Sequence, residues 1–278
     1  MKKTIVLILL LISVSVLGQN FQGKATYKTF RKVDLKLEEA HGGNSKLQKQ
    51  LQEQLKKQFQ KTYTLNFNKS ESVYTQNKEL SAPQAIGGNS ISVISIGGGG
   101  GSDILYKNIA DKRYVNKTEI SGKRFLIKDK LEDYDWEMTS ETKNIGNYTC
   151  YKAVRKREET RTSFTMTDGK REEKKDKVTV TTVAWYTPQI PLSNGPEQFW
   201  GLPGLILEIQ DGKLTIVCTE IVMNSSEKID IKEPTKGKKV TQEKFDKIID
   251  EHSKDMMERF KSKRKSKDGN SFSIEIQG

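Results

Sequence analysis

Histidine and cysteine are scarce: two of each occur in 278 residues, and no histidine stands in the neighbourhood of either cysteine, so no zinc-ligand spacing and no local thiol–imidazole pair is offered. His41 stands in a Gly-rich stretch. His252 sits one helical turn from Ile248 and Met256, with no second ligand four residues away, a spacing that suits a core-edge residue better than a metal ligand. No Gly-x-Ser-x-Gly elbow, Cys-x-x-Cys pair or Gly-Lys-Ser/Thr phosphate loop occurs, so no cofactor is expected and no reaction is named by a motif. Long apolar runs are also missing beyond the N-terminus, and the run there, Ile5 to Leu17 with two serines inside it, falls short of the roughly 20 residues a membrane span needs.

That N-terminal run follows Lys2-Lys3 and ends at the small residue Gly18, with Val16 two positions earlier. This is the pattern of a cleaved secretory signal over residues 1–18, and it predicts an exported chain, periplasmic or extracellular, with no transmembrane span once mature. The chain carries a net charge of +12, but its basic residues are interspersed with acids, as in Arg155-Lys-Arg-Glu-Glu159 and Arg171-Glu-Glu-Lys-Lys175. Interspersed charge describes a solvated face, and no aromatic-bearing basic stripe accompanies it, so nucleic acid is not an expected partner.

The rest reads mainly as β (α+β). Short alternating segments recur every eight to twelve residues with turn residues between them, the pattern of an antiparallel meander. Residues 19–278 read as one domain with four additions: a helix over 45–61 (Leu47, Leu51, Leu55, Phe59 at every fourth position), a Gly-rich insertion over 77–103, a charged hairpin over 155–177, and a C-terminal helix over 241–262. Thr241 is placed to cap that last helix, with Val240 and Phe245 as a hydrophobic staple. Cys150 and Cys218 each lie in an apolar strand pattern. In an oxidising compartment they either bond across a loop of roughly 70 residues, stabilising by about 4 kcal/mol, or stay free as small buried hydrophobes.

The organising stretch is Trp200-Gly-Leu-Pro-Gly-Leu-Ile-Leu-Glu-Ile209, approached by Ala184-Trp-Tyr-Thr-Pro188 and Asn194-Gly-Pro196. Gly201 and Gly204 flank Leu202-Pro203 as a tight turn in which backbone passes close to backbone, and Leu205 and Ile206 open a strand. Pro188 and Pro196 stiffen the approach, with Gly195 between them as part of the same motif. Trp185, Tyr186, Phe199 and Trp200 concentrate aromatic surface beside these prolines, either lining a concave apolar site or plugging the end of a small barrel, with plugging favoured because buried Trp is primarily packing. Glu208 and Glu220 read as outward positions of an edge hairpin, with paired acid/base chemistry the lesser alternative.

The same stretch, with Lys123 to Lys128, Tyr134-Asp-Trp136 and Tyr148 to Ala153 upstream of it, resembles the GLPGLI family over about residues 104–224. The resemblance implies an exported, largely β protein of the bacterial envelope with no established catalytic residues to carry over. By analogy of fold alone it implies a curved antiparallel sheet, or half-barrel, covered by one or two helices, as in periplasmic lipoprotein carriers. The functional expectation is a non-enzymatic protein that binds a hydrophobic ligand or an envelope protein partner on that sheet. Its rivals are an envelope hydrolase and a structural surface protein.

Overall fold

The computed structural model of the chain describes residues 21–31, 60–77, 103–167, 170–225 and 229–264, and the description below concerns those. Twelve strands are formed: β1 (Gln22–Arg31), β2 (Lys61–Asn68), β3 (Glu71–Gln76), β4 (Ile104–Asn108), β5 (Arg113–Ile120), β6 (Lys123–Lys130), β7 (Glu137–Ile145), β8 (Tyr148–Thr167), β9 (Lys170–Thr187), β10 (Leu205–Asp211), β11 (Leu214–Met223) and β12 (Lys238–Val240). One helix, α1 (Gln242–Arg264), follows. The strands make a single sheet in the order β12-β6-β5-β4-β3-β2-β1-β11-β10-β9-β8-β7, antiparallel throughout except for the short parallel pair β12/β6.

Chain length dictates the curvature of this sheet. β6 and β7 stand ten strands apart, on the order of 48 Å along the sheet at about 4.8 Å per strand. The chain nevertheless passes from Lys130 to Glu137 in seven residue steps, at most about 25 Å when fully extended. The sheet must therefore curl until its flanks approach each other. It remains open, with β7 and β12 as unjoined edges, which is the expected half-barrel.

Alternation decides which side chains fill the concavity. Ala25, Tyr27, Leu65, Phe67, Tyr74, Leu105, Tyr114, Phe125 and Ile127 occupy inward positions on β1 to β6 and join one buried cluster with the loop between β9 and β10. Their outward neighbours Val73, Tyr106, Val115 and Leu126 form a second, smaller cluster that Ile231 covers from outside. Tight turns follow their sequences: Ser121 and Gly122, at φ 48° and 80°, connect Ile120 to Lys123 as a two-residue hairpin, and Gly212 at φ 56° serves β10/β11. At α1 the Thr241 hydroxyl accepts from the Lys244 amide at 3.4 Å, Asp129 accepts from the Gln242 amide at 3.0 Å, and Phe245 packs edge-on against Phe125 at 5.5 Å.

The expected helix over 45–61 lies outside the described residues, except for Gln60, which is not helical, and Lys61, which opens β2. The signal at 1–18 and nearly all of the insertion over 77–103 also lie outside. β8 and β9 pair continuously from Tyr151↔Tyr186 to Thr167↔Lys170, forming a ribbon that runs well past the part of each strand paired to the sheet. Among the described residues no helix is long and apolar enough to cross a membrane.

Candidate functional site

The loop from Pro188 to Gly204 folds back over the concave face, and main-chain bonds hold it there. Leu205 donates to the Ile190 carbonyl at 3.0 Å, Ile206 donates to Asn194 at 2.9 Å, and the Tyr27 hydroxyl donates to the Ile206 carbonyl at 2.8 Å. Asn194 is wholly buried and donates to the Ser72 hydroxyl at 2.9 Å. Gly204 is obligatory for this path, because a Cβ there would stand 2.2 Å from the Thr187 carbonyl oxygen. At Gly195 it would meet the Ile206 side chain at 2.8 Å. Gly201 adopts φ 96° against the Trp136 ring, so the close approach expected of these small residues is real.

The four expected aromatics are divided between the two faces of the sheet and do not converge on one cavity. Phe199 and Trp200 are buried in the loop. Trp200 Nε1 donates to the Glu132 carbonyl at 2.8 Å, Trp136 Nε1 donates to the Trp200 carbonyl at 2.9 Å, and Phe199 lies 5.8 Å from Tyr134. These groups clasp the 131–136 crossover to the loop as packing. Tyr186 faces inward beside Tyr151. Trp185, one residue away, must point to the opposite face, where Lys143 sits 4.4 Å over its ring.

On that convex face Glu208 is not the exposed edge residue expected. It is 8% exposed, and its two carboxylate oxygens accept from Lys143 at 2.6 Å and Gln210 at 2.7 Å. Val217, not Glu220, stands opposite it, so these two acids form no pair. Cys150 and Cys218 are both buried and free. β9 and β10 lie between their strands, which separates them by on the order of 14 Å across three strand spacings, against the roughly 7 Å limit for a disulfide. Burial pushes the two thiols up to about 11 and about 12, the opposite of a reactive thiolate. His252 Nε2 lies 3.3 Å from the Ser121 hydroxyl at the rim.

The residues that carry unusual chemistry are others. Lys107 is an inward position of β4 and is fully buried. Its Nζ donates to the carbonyls of Gly195 at 2.7 Å and Phe199 at 3.3 Å, tying the loop to the sheet. Burial lowers its pKa to about 7, opposed only by the nearby Glu197 carboxylate. Glu197 sits between those two carbonyls at φ 47°, an uncommon backbone conformation for a non-glycine residue. The residue as a whole is half-buried, yet its carboxyl is enclosed, and that enclosure pushes its pKa up against the pull of Arg31 and Lys107. The same carboxylate raises Tyr63, to about 12, and Tyr74, after burial itself. These two rings stack at 4.8 Å with 4° between their planes.

Around Leu105 three buried polar atoms have no hydrogen-bond partner: the Tyr74 hydroxyl, Asp103 Oδ1 and Asn116 Oδ1. Register brings them together. Tyr74 and Asn116 flank Leu105 on either side, and Asp103 lies two residues before it on the same face. Burial raises the Asp103 carboxyl against a hydrogen bond from Thr118 and the charge of Lys61. The patch is rimmed by half-buried Tyr63 and Gln76. A separate surface depression of about 470 Å3, lined by Asp111, Arg113, Tyr114, Val115, Lys128, Asp129 and Lys130, is already neutralised, since Glu233 accepts from Arg113 and Lys128 at 2.8 Å each.

Lys107, Asn116 and Glu197 were not singled out by sequence. The available signal was a lysine at an inward register position of an otherwise apolar strand, Ile104-Leu-Tyr-Lys107.

A family described as a protein of unknown function (Porph_ging) matches residues 136–208, which include the loop and the strands on either side of it. No curated protein matches the sequence. Two solved structures of PNGF-II, in the C2 and P21 space groups, are similar at a TM-score of 0.47 and 12% identity, covering 82% of this chain and 32% and 33% of theirs. The chain thus spans about a third of the length of PNGF-II.

Proposed function

We propose that this is an exported, non-enzymatic binding protein of the cell envelope whose ligand is held on the concave face, beside the loop that carries Glu197. The observation that supports it most is the polar character of the concave face around Leu105, where Tyr74, Asp103 and Asn116 share inward register positions beside the loop of Glu197. A buried polar group without a partner costs about 1–3 kcal/mol, so a scaffold selected for stability alone would replace these side chains with apolar ones. The reading departs from an apolar ligand, because the motif's aromatic groups are consumed by packing, and the groups left to receive a ligand are polar.

Native mass spectrometry of protein purified from envelopes tests this reading. The wild type should carry a small molecule that is lost in Tyr74→Phe, and its N-terminus should begin after Gly18. Protein that carries nothing, or that retains residues 1–18, would contradict it. A second reading, an extended envelope protein segment taken by strand addition, is favoured by the β8–β9 ribbon. Among the described residues β8 beyond Val154 and β9 before Thr182 pair only with each other, so the outer edge of each is unpaired there. A variant with 158–179 replaced by a two-residue turn should lose a specific envelope partner and keep any small molecule.

A further inference from the structure

We propose that the outer half of α1, Ser253 to Arg264, lies along an anionic lipid surface with its basic and apolar side against the headgroups. This interaction surface is separate from the concave face and does not depend on the reading given above.

The end of the sheet fixes where the helix loses its support. α1 begins at the Asp129 end of β6, where that carboxylate accepts from the Gln242 amide, and runs back along β6 to the β5/β6 turn, where His252 Nε2 stands 3.3 Å from the Ser121 hydroxyl. Between these points Phe245 packs on Phe125, and Ile248 and Ile249 join the same buried cluster. β5 and β6 both end at that turn, yet the helix continues from His252 to Arg264, twelve positions or about 18 Å further.

Helical periodicity sorts the chemistry of this outer half. At about 100° per residue, Met256, Met257, Arg259, Phe260, Lys263 and Arg264 share one side roughly 160° wide, which continues the stripe of Phe245, Ile249 and His252 past the rim. Both acids of the segment, Asp255 and Glu258, fall on the other side. One side therefore combines three cations and three apolar residues with no acid, the arrangement of a helix whose apolar groups sink toward the acyl chains while its cations stay at the phosphates. α1 is not apolar enough to cross a bilayer, which leaves the surface. A second copy of the chain would bring the same three cations face to face, and a polyanion without an apolar layer would leave Met256, Met257 and Phe260 unused.

Co-sedimentation of the full mature chain with vesicles of phosphatidylcholine alone, and of phosphatidylcholine mixed with phosphatidylglycerol, is the test. Binding to the mixed vesicles only is expected, and it should fall as salt is raised, since the screening length shrinks from about 10 Å at 0.1 M to about 3 Å at 1 M. The double variant Arg259→Glu, Lys263→Glu should bind at least about tenfold more weakly, because each cation near an anionic surface is worth about fivefold. Its melting temperature should equal that of the wild type, because both positions lie beyond the sheet. Tryptophan emission of Phe260→Trp should shift to the blue on mixed vesicles. Binding to neither vesicle, equal binding to both, or mixed-vesicle binding that survives the double charge reversal would overturn the proposal. A lowered melting temperature in the double variant would place these residues against the fold and overturn it too. So would a dimer in sedimentation velocity that the double variant loses, without vesicle binding, since the face would then belong to a second copy.

Discussion

Two lysine–glutamate arrangements lie on opposite faces of the same sheet, and they are built differently. On the convex face Lys143 and Glu208 touch at 2.6 Å, Trp185 lies under the ammonium group, and Gln210 takes the other carboxylate oxygen. Every group there has its partner, and the lysine keeps about a third of its side-chain surface in water. On the concave face Lys107 and Glu197 feel each other's charge without an ion pair between them. The lysine is spent on two backbone carbonyls, and the charge of the enclosed glutamate reaches the stacked Tyr63–Tyr74 pair. The first arrangement closes a surface. The second sets a loop in place, at the cost of burying a cation and an acid.

The largest break in this comparison comes from moving the loop. Gly204→Ala would drive a methyl into the Thr187 carbonyl at 2.2 Å, and denaturant unfolding should show a loss above about 3 kcal/mol. Next is Lys107→Met, which strips the donors from the Gly195 and Phe199 carbonyls and should cost about 2–4 kcal/mol by the same measurement.

The two lysines should also differ in pH dependence. With a folded pKa of about 7 and an ordinary unfolded value near 10.4, Lys107 binds fewer protons in the folded state between these limits, so its contribution to stability rises with pH there. Glu197, raised by burial, acts in the opposite sense at lower pH: its folded form holds a proton longer, and stability falls as pH climbs through its folded pKa. The buried thiols and the tyrosines, all raised, lower stability only as their unfolded values are passed, above about pH 8.5 for the thiols. Melting temperature should therefore rise from pH 7 to about 8.5 in the wild type and stay flat in Lys107→Met. The smallest effect is Lys143→Met, expected to cost about 1–2 kcal/mol, because the buried Glu208 carboxylate loses one partner but keeps Gln210 and the lysine end of the pair is partly in water.

Much of the fold was legible. Short apolar segments between turn residues located β4, β5, β6 and the β10/β11 hairpin, although β4 and β10 bury both faces, and the small residues of the Gly201-Leu-Pro-Gly204 turn announced a close approach that the Thr187 carbonyl explains. The site was not legible in the same way. Local spacing showed four aromatics within sixteen residues, but a strand turns Trp185 and Tyr186 to opposite faces, and only the three-dimensional register sends Phe199 and Trp200 into packing with Glu132 and Trp136. Lys107, Asn116 and Asp103 become a cluster through pairing across β3, β4 and β5, and Glu197 joins them from a loop some ninety positions further along the chain. Such long-range juxtaposition leaves no periodic trace in the sequence.

The account turns on whether the Tyr74 hydroxyl is buried without a partner in the unliganded protein, and the unfolding free energy of purified Tyr74→Phe measures this most directly. Stability equal to or above the wild type is the expected result. A loss of more than about 1 kcal/mol would show that the hydroxyl is already bonded within the fold, and would contradict the reading of the concave patch as a site awaiting a ligand.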